Sequence, residues 1–163
     1  MGHSNNVAYI DGANLYNGIK ESEWSLDYKK FRVWLSEKYG VQKAYIFLGF
    51  VSEYQGLYEY LRSCGYLLVF KDTVRGIAGE IKGNCDADLV LHSVRNVYES
   101  AYKDVVLLSS DGDYASLVTF LIEKDLLRVV LSPYKAKSCS ILLKRTGAPI
   151  SYMSDYKEIL RKK

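Results

Sequence analysis

The chain has 163 residues, 48% of them apolar and 25% charged, a length and composition that allow a full hydrophobic core without disulfides or a structural metal. Its net charge of +3 is uneven: from Lys124 onward ten Lys/Arg face three Asp/Glu, net +7, and residues 1–123 carry net −4. No apolar run nears the ~18 residues that span a bilayer, no secretory core follows the N-terminus, and three scattered cysteines (Cys64, Cys85, Cys139) argue for a reducing, cytoplasmic setting over a disulfide framework or a cysteine zinc site.

Residues 1–6, MGHSNN, read as a disordered end or a tag remnant. The first strand is expected at VAYI (7–10), ending in Asp11. A helix over 27–40 places Phe31, Trp34 and Leu35 at i, i+3, i+4 and stops at Gly40, as helices do. KAYIFL (43–48) is the second strand, and 52–65 a helix opened by Ser52 as N-cap and closed by Gly65. YLLVF (66–70) is the third strand. The segment 71–85, with three glycines and no periodicity, reads as a mobile loop near a site. A helix over 86–101 carries Leu89, Val90, Val94 and Val97, and VVLLS (105–109) is the fourth strand. A helix over 114–125, a strand at RVVL (128–131), a helix over 138–145, a weak sixth strand at ISYM (150–153) and a helical end at 154–162 complete the chain.

These strands are continuously apolar rather than alternating, as expected where both faces of a parallel sheet are covered. Strands alternating with helices imply βαβ crossovers. The predicted fold is α/β, a three-layer sandwich with a central, mostly parallel sheet of five to six strands, in one domain spanning 1–163.

In such sheets ligands gather beyond the carboxyl ends of the strands. Asp11 ends the first strand, Asp111 and Asp113 follow the fourth, and Asp86 and Asp88 open the helix before it. Each acid also has a structural reading: Asp at a helix start caps a free N–H, and Asp-Gly is a turn dipeptide. Five carboxylates at one edge, however, repel one another unless cations bind between them. With His3 and His92 the only histidines, any metal is held by oxygen, which suits Mg²⁺ or Mn²⁺. Gly12 and Gly112 allow close approach beside the aspartates. Asn14 orients a carboxylate or a water, or caps the first helix. Ser109 and Ser110 can hydrogen-bond a ligating carboxylate.

The stretches YIDGANLYNG, KGNCDADLVLHSV and VVLLSSDGDYASLV, in this order and spacing, resemble the NYN domain, in its LabA-like branch, within the PIN-like ribonuclease superfamily, over roughly residues 6–153. The resemblance implies metal-dependent hydrolysis of RNA phosphodiester bonds, leaving 5′-phosphate and 3′-hydroxyl ends. It places Asp11, Asp86, Asp111 and Asp113 as metal-holding catalytic acids with one or two Mg²⁺ or Mn²⁺. Asn14, Asp88, Ser109 and Lys82 match supporting positions. Where many members carry a further acid on the central helix, this chain has His92. Lys135, Lys137, Lys144, Arg145 and, on the 71–85 segment, Arg75 are candidates for backbone contacts with RNA. Among fifteen tyrosines, Tyr16, Tyr114 and Tyr134 lie near the motifs, where exposed rings stack single-stranded bases and buried ones pack a core.

A non-catalytic RNA-binding or regulatory module on the same fold is the second reading, and a homo-oligomer or protein partner is left open. A haloacid-dehalogenase-like phosphatase needs a second Asp two residues after Asp11, where this chain has Ala13. A dinucleotide fold lacks its G-x-G-x-x-G after the first strand.

Overall fold

The computed structural model describes residues 4–82, 85–99 and 101–163, without the side chains of Ile81 and Lys82. Its sheet has six strands: β1 (Asn6–Asp11), β2 (Val41–Gly49), β3 (Tyr66–Lys71), β6 (Val105–Leu108), β7 (Leu127–Ser132) and β8 (Ile150–Tyr152), in the order β3-β2-β1-β6-β7-β8. Every neighbouring pair is parallel. The fold is thus an α/β sandwich, and the weak sixth strand pairs with β7 through Val130 and Ile150. β1 begins at Asn6, inside the segment set aside in the sequence, because the Asn6 amide side chain donates to the Tyr39 carbonyl at 2.7 Å.

Period-two alternation sorts the strand residues into two cores. Ala8, Ile10, Ala44, Ile46, Val106 and Leu108 face one layer, with helices α1 (Gly12–Glu21) and α2 (Tyr28–Tyr39) above them. Val7, Tyr9, Phe47, Val105 and Leu107 face the other, under α4 (Asp86–Tyr98) and α5 (Ala115–Glu123). All four apolar residues of β1 are fully buried, and Val7 and Ile10 are each worth about 1.5–3 kcal/mol over exposure. This two-sided burial is why the strands read as continuous apolar runs.

α2 is bounded as its sequence implies: the Asp27 carboxylate accepts from the Lys30 N–H at 3.0 Å, and Gly40 ends it in the left-handed region at φ 65°. Other helices are shorter than their periodicity implies. The 52–65 segment divides into a 3₁₀ turn (Ser52–Tyr54) and α3 (Gln55–Ser63), and Ser52 caps neither. Similarly, α6 (Ile141–Lys144), capped by Ser140, and α7 (Lys157–Leu160) each follow a 3₁₀ turn. The expected mobile loop at 71–85 contains an antiparallel ladder of β4 (Val74–Arg75) and β5 (Ile81–Lys82); Gly83 and Asn84 lie outside the described residues. Two-residue strands carry too little pattern to register in the sequence.

Gly12 sets how closely α1 approaches the sheet. A Cβ there would lie 2.8 Å from the Phe47 carbonyl oxygen and 2.3 Å from the Leu48 side chain. Gly12→Ala is therefore expected to destabilise the fold by about 1–3 kcal/mol, read as a lowered midpoint in urea unfolding with unchanged slope.

Candidate functional site

Strand order reverses between β1 and β6: the chain leaves β1 toward β2 on one side and returns to β6 on the other. The loops leaving their carboxyl ends diverge, and a crevice opens between them. A cleft of about 790 Å³ there is lined by Asp11, Asn14, Asp86 and Asp111 and runs on past the end of β2 to Tyr54, Leu57 and Tyr58.

Asp11 continues the β1 alternation onto the face of Val7 and Tyr9, which brings it under α4. It is 8% exposed. One carboxylate oxygen, Oδ1, accepts from the Asn14 N–H at 3.1 Å and so caps α1, and Oδ2 accepts from the Tyr114 hydroxyl at 3.1 Å. Burial raises the Asp11 carboxyl above its ordinary range, the Asn14 N–H opposes this, and the charge of Asp86 adds to it. Asp111 caps the 3₁₀ turn Gly112–Tyr114, its Oδ1 accepting from the Asp113 N–H at 2.9 Å. Asp86 opens α4 and accepts from the same Tyr114 hydroxyl at 2.8 Å. Carboxylate oxygens of Asp86, Asp111 and Asp113 lie within 4.8 Å of one another. Capping falls to Asp11 and Asp111, not to Asp86, Asp88 or Asp113; the cap position of α4 is Cys85, without a side-chain bond.

The supporting residues act differently from expectation. Asn14 does not cap α1: its Oδ1 accepts from the Ser110 N–H at 2.9 Å and hydroxyl at 3.1 Å, stitching α1 to the loop after β6. Ser109 accepts from the Asp111 N–H at 3.0 Å, so it shapes the loop backbone rather than binding a carboxylate. Gly112 leaves room for the protein itself, since a Cβ there would meet the Ser140 hydroxyl at 2.5 Å. Asp88 turns away from Asp86, because residues two apart on a helix face different ways. It lies 3.9 Å from Lys71 and lines a separate cleft with His92 and Arg95. Within that cleft His92 contacts the rings of Tyr45 and Phe47 at 4.8 and 5.5 Å, and burial lowers its pKa. It shares the cleft of Asp88 and does not line that of Asp11, Asp86 and Asp111. The Lys82 side chain lies outside the described residues.

Of the cations, Lys135 and Lys137 are exposed on the segment after β7, next to Tyr134, which lines the main cleft. Lys144 donates to the Ala136 carbonyl at 2.6 Å, Arg145 is exposed, and Arg75 pairs with Glu53 at 2.9 Å. The basic C-terminal quarter does not form one patch: Lys124 lies over the Tyr98 ring and Arg128 over Tyr39. Tyr16, 59% exposed, lines the cleft. Tyr114 is 1% exposed, so base stacking is closed to it. Burial, with Asp11 and Asp86 beside it, pushes its phenol far above the ordinary value. The sequence reading missed this bridging hydroxyl and the cleft-lining Tyr54, 52% exposed. Neither carries a sequence signal, since the ring beside the acids is visible but its direction is not.

The model of the NYN domain matches residues 6–147. A crystal structure of a protein of unknown function from Vibrio parahaemolyticus superposes with a TM-score of 0.74 over 99% of both chains, at 19% identity, which shows a shared fold. No curated protein matches the sequence.

A buried carboxyl with a raised pKa holds its proton more tightly in the native state than in the unfolded one, so its penalty is present at neutral pH and fades as pH falls through the folded pKa. Asn caps as well as Asp. Asp11→Asn is therefore expected to leave the melting temperature in EDTA at pH 7 unchanged or up to about 4 °C higher. That gain should shrink as pH is lowered toward 4 in scanning fluorimetry. A clear loss at pH 7 would mean that the Asp11 carboxylate stabilises the fold rather than straining it.

Proposed function

Because the chain belongs to the NYN domain family, whose fold is that of PIN-like nucleases, we propose that it is a metal-dependent ribonuclease acting in the cytoplasm on single-stranded RNA. The observation that carries this reading is the convergence of Asp86, Asp111 and Asp113, within 4.8 Å at their carboxylate oxygens, beside Asp11 in one cleft. The donors are all hard oxygens, the set that Mg²⁺ and Mn²⁺ take. Burial pushes the neighbouring Cys85 thiol up to about 11, which keeps it protonated and a poor ligand. Asp86, Asp111 and Asp113 would hold the ion, with Asp11 alongside. Such an ion, when bound, supplies charge stabilisation at the phosphate and a nucleophile at neutral pH.

The chain's own residues do the rest. Lys135 and Lys137, with Arg145, neutralise phosphates flanking the cleft irrespective of sequence. Lys144, holding the Ala136 carbonyl, sets the shape of that segment, and Arg75, on β4, is paired with Glu53. Tyr16 and Tyr54 offer exposed rings to unpaired bases. Asn14 and Ser109 fix the loop from which Asp111 projects.

One observation favours a second reading, a non-catalytic RNA-binding module. Asp11 and Asp111 each cap a turn or helix, so their presence alone does not require chemistry. The two readings separate in an RNA-cleavage assay with Mn²⁺ titration. Wild type is expected to cleave single-stranded RNA, to stop in EDTA and to recover with Mn²⁺. Asp111→Asn, which keeps the cap, is expected to lose about 100-fold or more of the rate. RNA binding without cleavage at any Mn²⁺ concentration would leave the binding module. Lys135→Ala with Lys137→Ala is expected to flatten the salt dependence of RNA affinity by about 0.7 in log–log slope per lost phosphate contact, measured by fluorescence anisotropy.

A further inference from the structure

Tyr114 carries a hydroxyl for which the packing has no use. Its ring is buried in the core beneath α4 and α5, with Leu117 and Val118, where a phenylalanine would fill the same space. Its oxygen nevertheless stands between two carboxylates, 2.8 Å from Asp86 Oδ1 and 3.1 Å from Asp11 Oδ2. Those acids come from different elements, the end of β1 and the first residue of α4. A phenol has one hydrogen and bonds one carboxylate at a time, but its oxygen stays in reach of both because the ring is gripped by the core. Two like charges tend to turn apart, and a group fixed between them limits that rotation. Asp11 also has its cap bond from Asn14, so the tyrosine gives it a second point of attachment.

We propose that Tyr114 is a positioning residue, whose hydroxyl fixes the Asp86 carboxylate, with Asp11 beside it, in the arrangement from which Asp86, Asp111 and Asp113 receive a divalent cation. The inference rests on the metal-dependent reading above. Tyr114 acts through the two aspartates. A pair already ordered loses less freedom when an ion binds, and partners that orient ligands in this way typically change metal affinity by about 10–100-fold.

The test is Tyr114→Phe, with Mn²⁺ binding by calorimetry, melting in EDTA, and RNA cleavage across Mn²⁺ concentrations. The expected result is Mn²⁺ affinity weakened by about 10–100-fold and a matching rise in the half-saturating Mn²⁺ for cleavage. The rate at saturating Mn²⁺ should stay within about threefold of wild type, a split between affinity and turnover that general loosening would not give. Unchanged Mn²⁺ affinity overturns the role of Tyr114 and leaves the carboxylate site standing. A wild type that binds no Mn²⁺ overturns both. A second measurement uses wild type alone, in case the variant does not fold: with ¹³Cζ-labelled tyrosine, a buried tyrosine resonance should shift on Mg²⁺ titration with the midpoint that calorimetry gives for Mg²⁺. If no buried tyrosine responds, the proposal fails.

Discussion

Repulsion between carboxylates is the constraint around which the crevice side of this sheet is arranged. Four aspartates meet there, one of them 8% exposed, and nothing in the apolar layers beneath can screen them. Among the described residues the fold sets hydrogen-bond donors against them. The Asn14 N–H, the Asp113 N–H and the Tyr114 hydroxyl each point at a carboxylate oxygen. Two of these bonds belong to the starts of helical segments, so the acids share their lone pairs with the backbone. The crossover of the chain from β3 to β6 is what puts the β1 and β6 ends side by side; without that reversal Asp11 and Asp111 would open onto different clefts.

Much of this was legible in the sequence, for physical reasons that differ from one element to the next. The six strands could be read because burial on both faces leaves no polar alternation to confuse them. Asp27 and Gly40 marked α2 because a cap and a left-handed stop need specific residue types. The acids could be gathered at one edge because a parallel sheet sends every carboxyl end the same way. Direction around a helix was harder. Asp86 and Asp88 look like a pair, yet one faces the main cleft and the other Lys71. Gly112 looks like clearance for a ligand, and only the packing of Ser140 against it shows the space to be taken. Tyr114 looks like one aromatic among fifteen; its hydroxyl matters because of where α4 places Asp86.

Charge placement follows the same logic. A net +7 over the last forty residues suggests a basic surface, but tertiary contacts disperse it. Lys124 and Arg128 lie over tyrosine rings, and Arg161 pairs with Glu158 at 3.1 Å. What remains beside the cleft is the segment after β7, which packs against the Asp111 turn through the Ser140 N–H to the Ser110 carbonyl at 3.0 Å. The cations of that segment are thereby registered to the acids by backbone contact, not by attraction between side chains.

The capping bonds of Asp11 and Asp111 bear on how such a chain can change over generations. At either position alanine removes charge and cap together, and the fold suffers. Asparagine removes the charge and keeps the cap, and the genetic code places it one base away from aspartate. Descendants that give up chemistry while keeping a folded surface for other uses thus have a short path open to them. In such lineages asparagine at these two sites is the substitution that drift should leave behind.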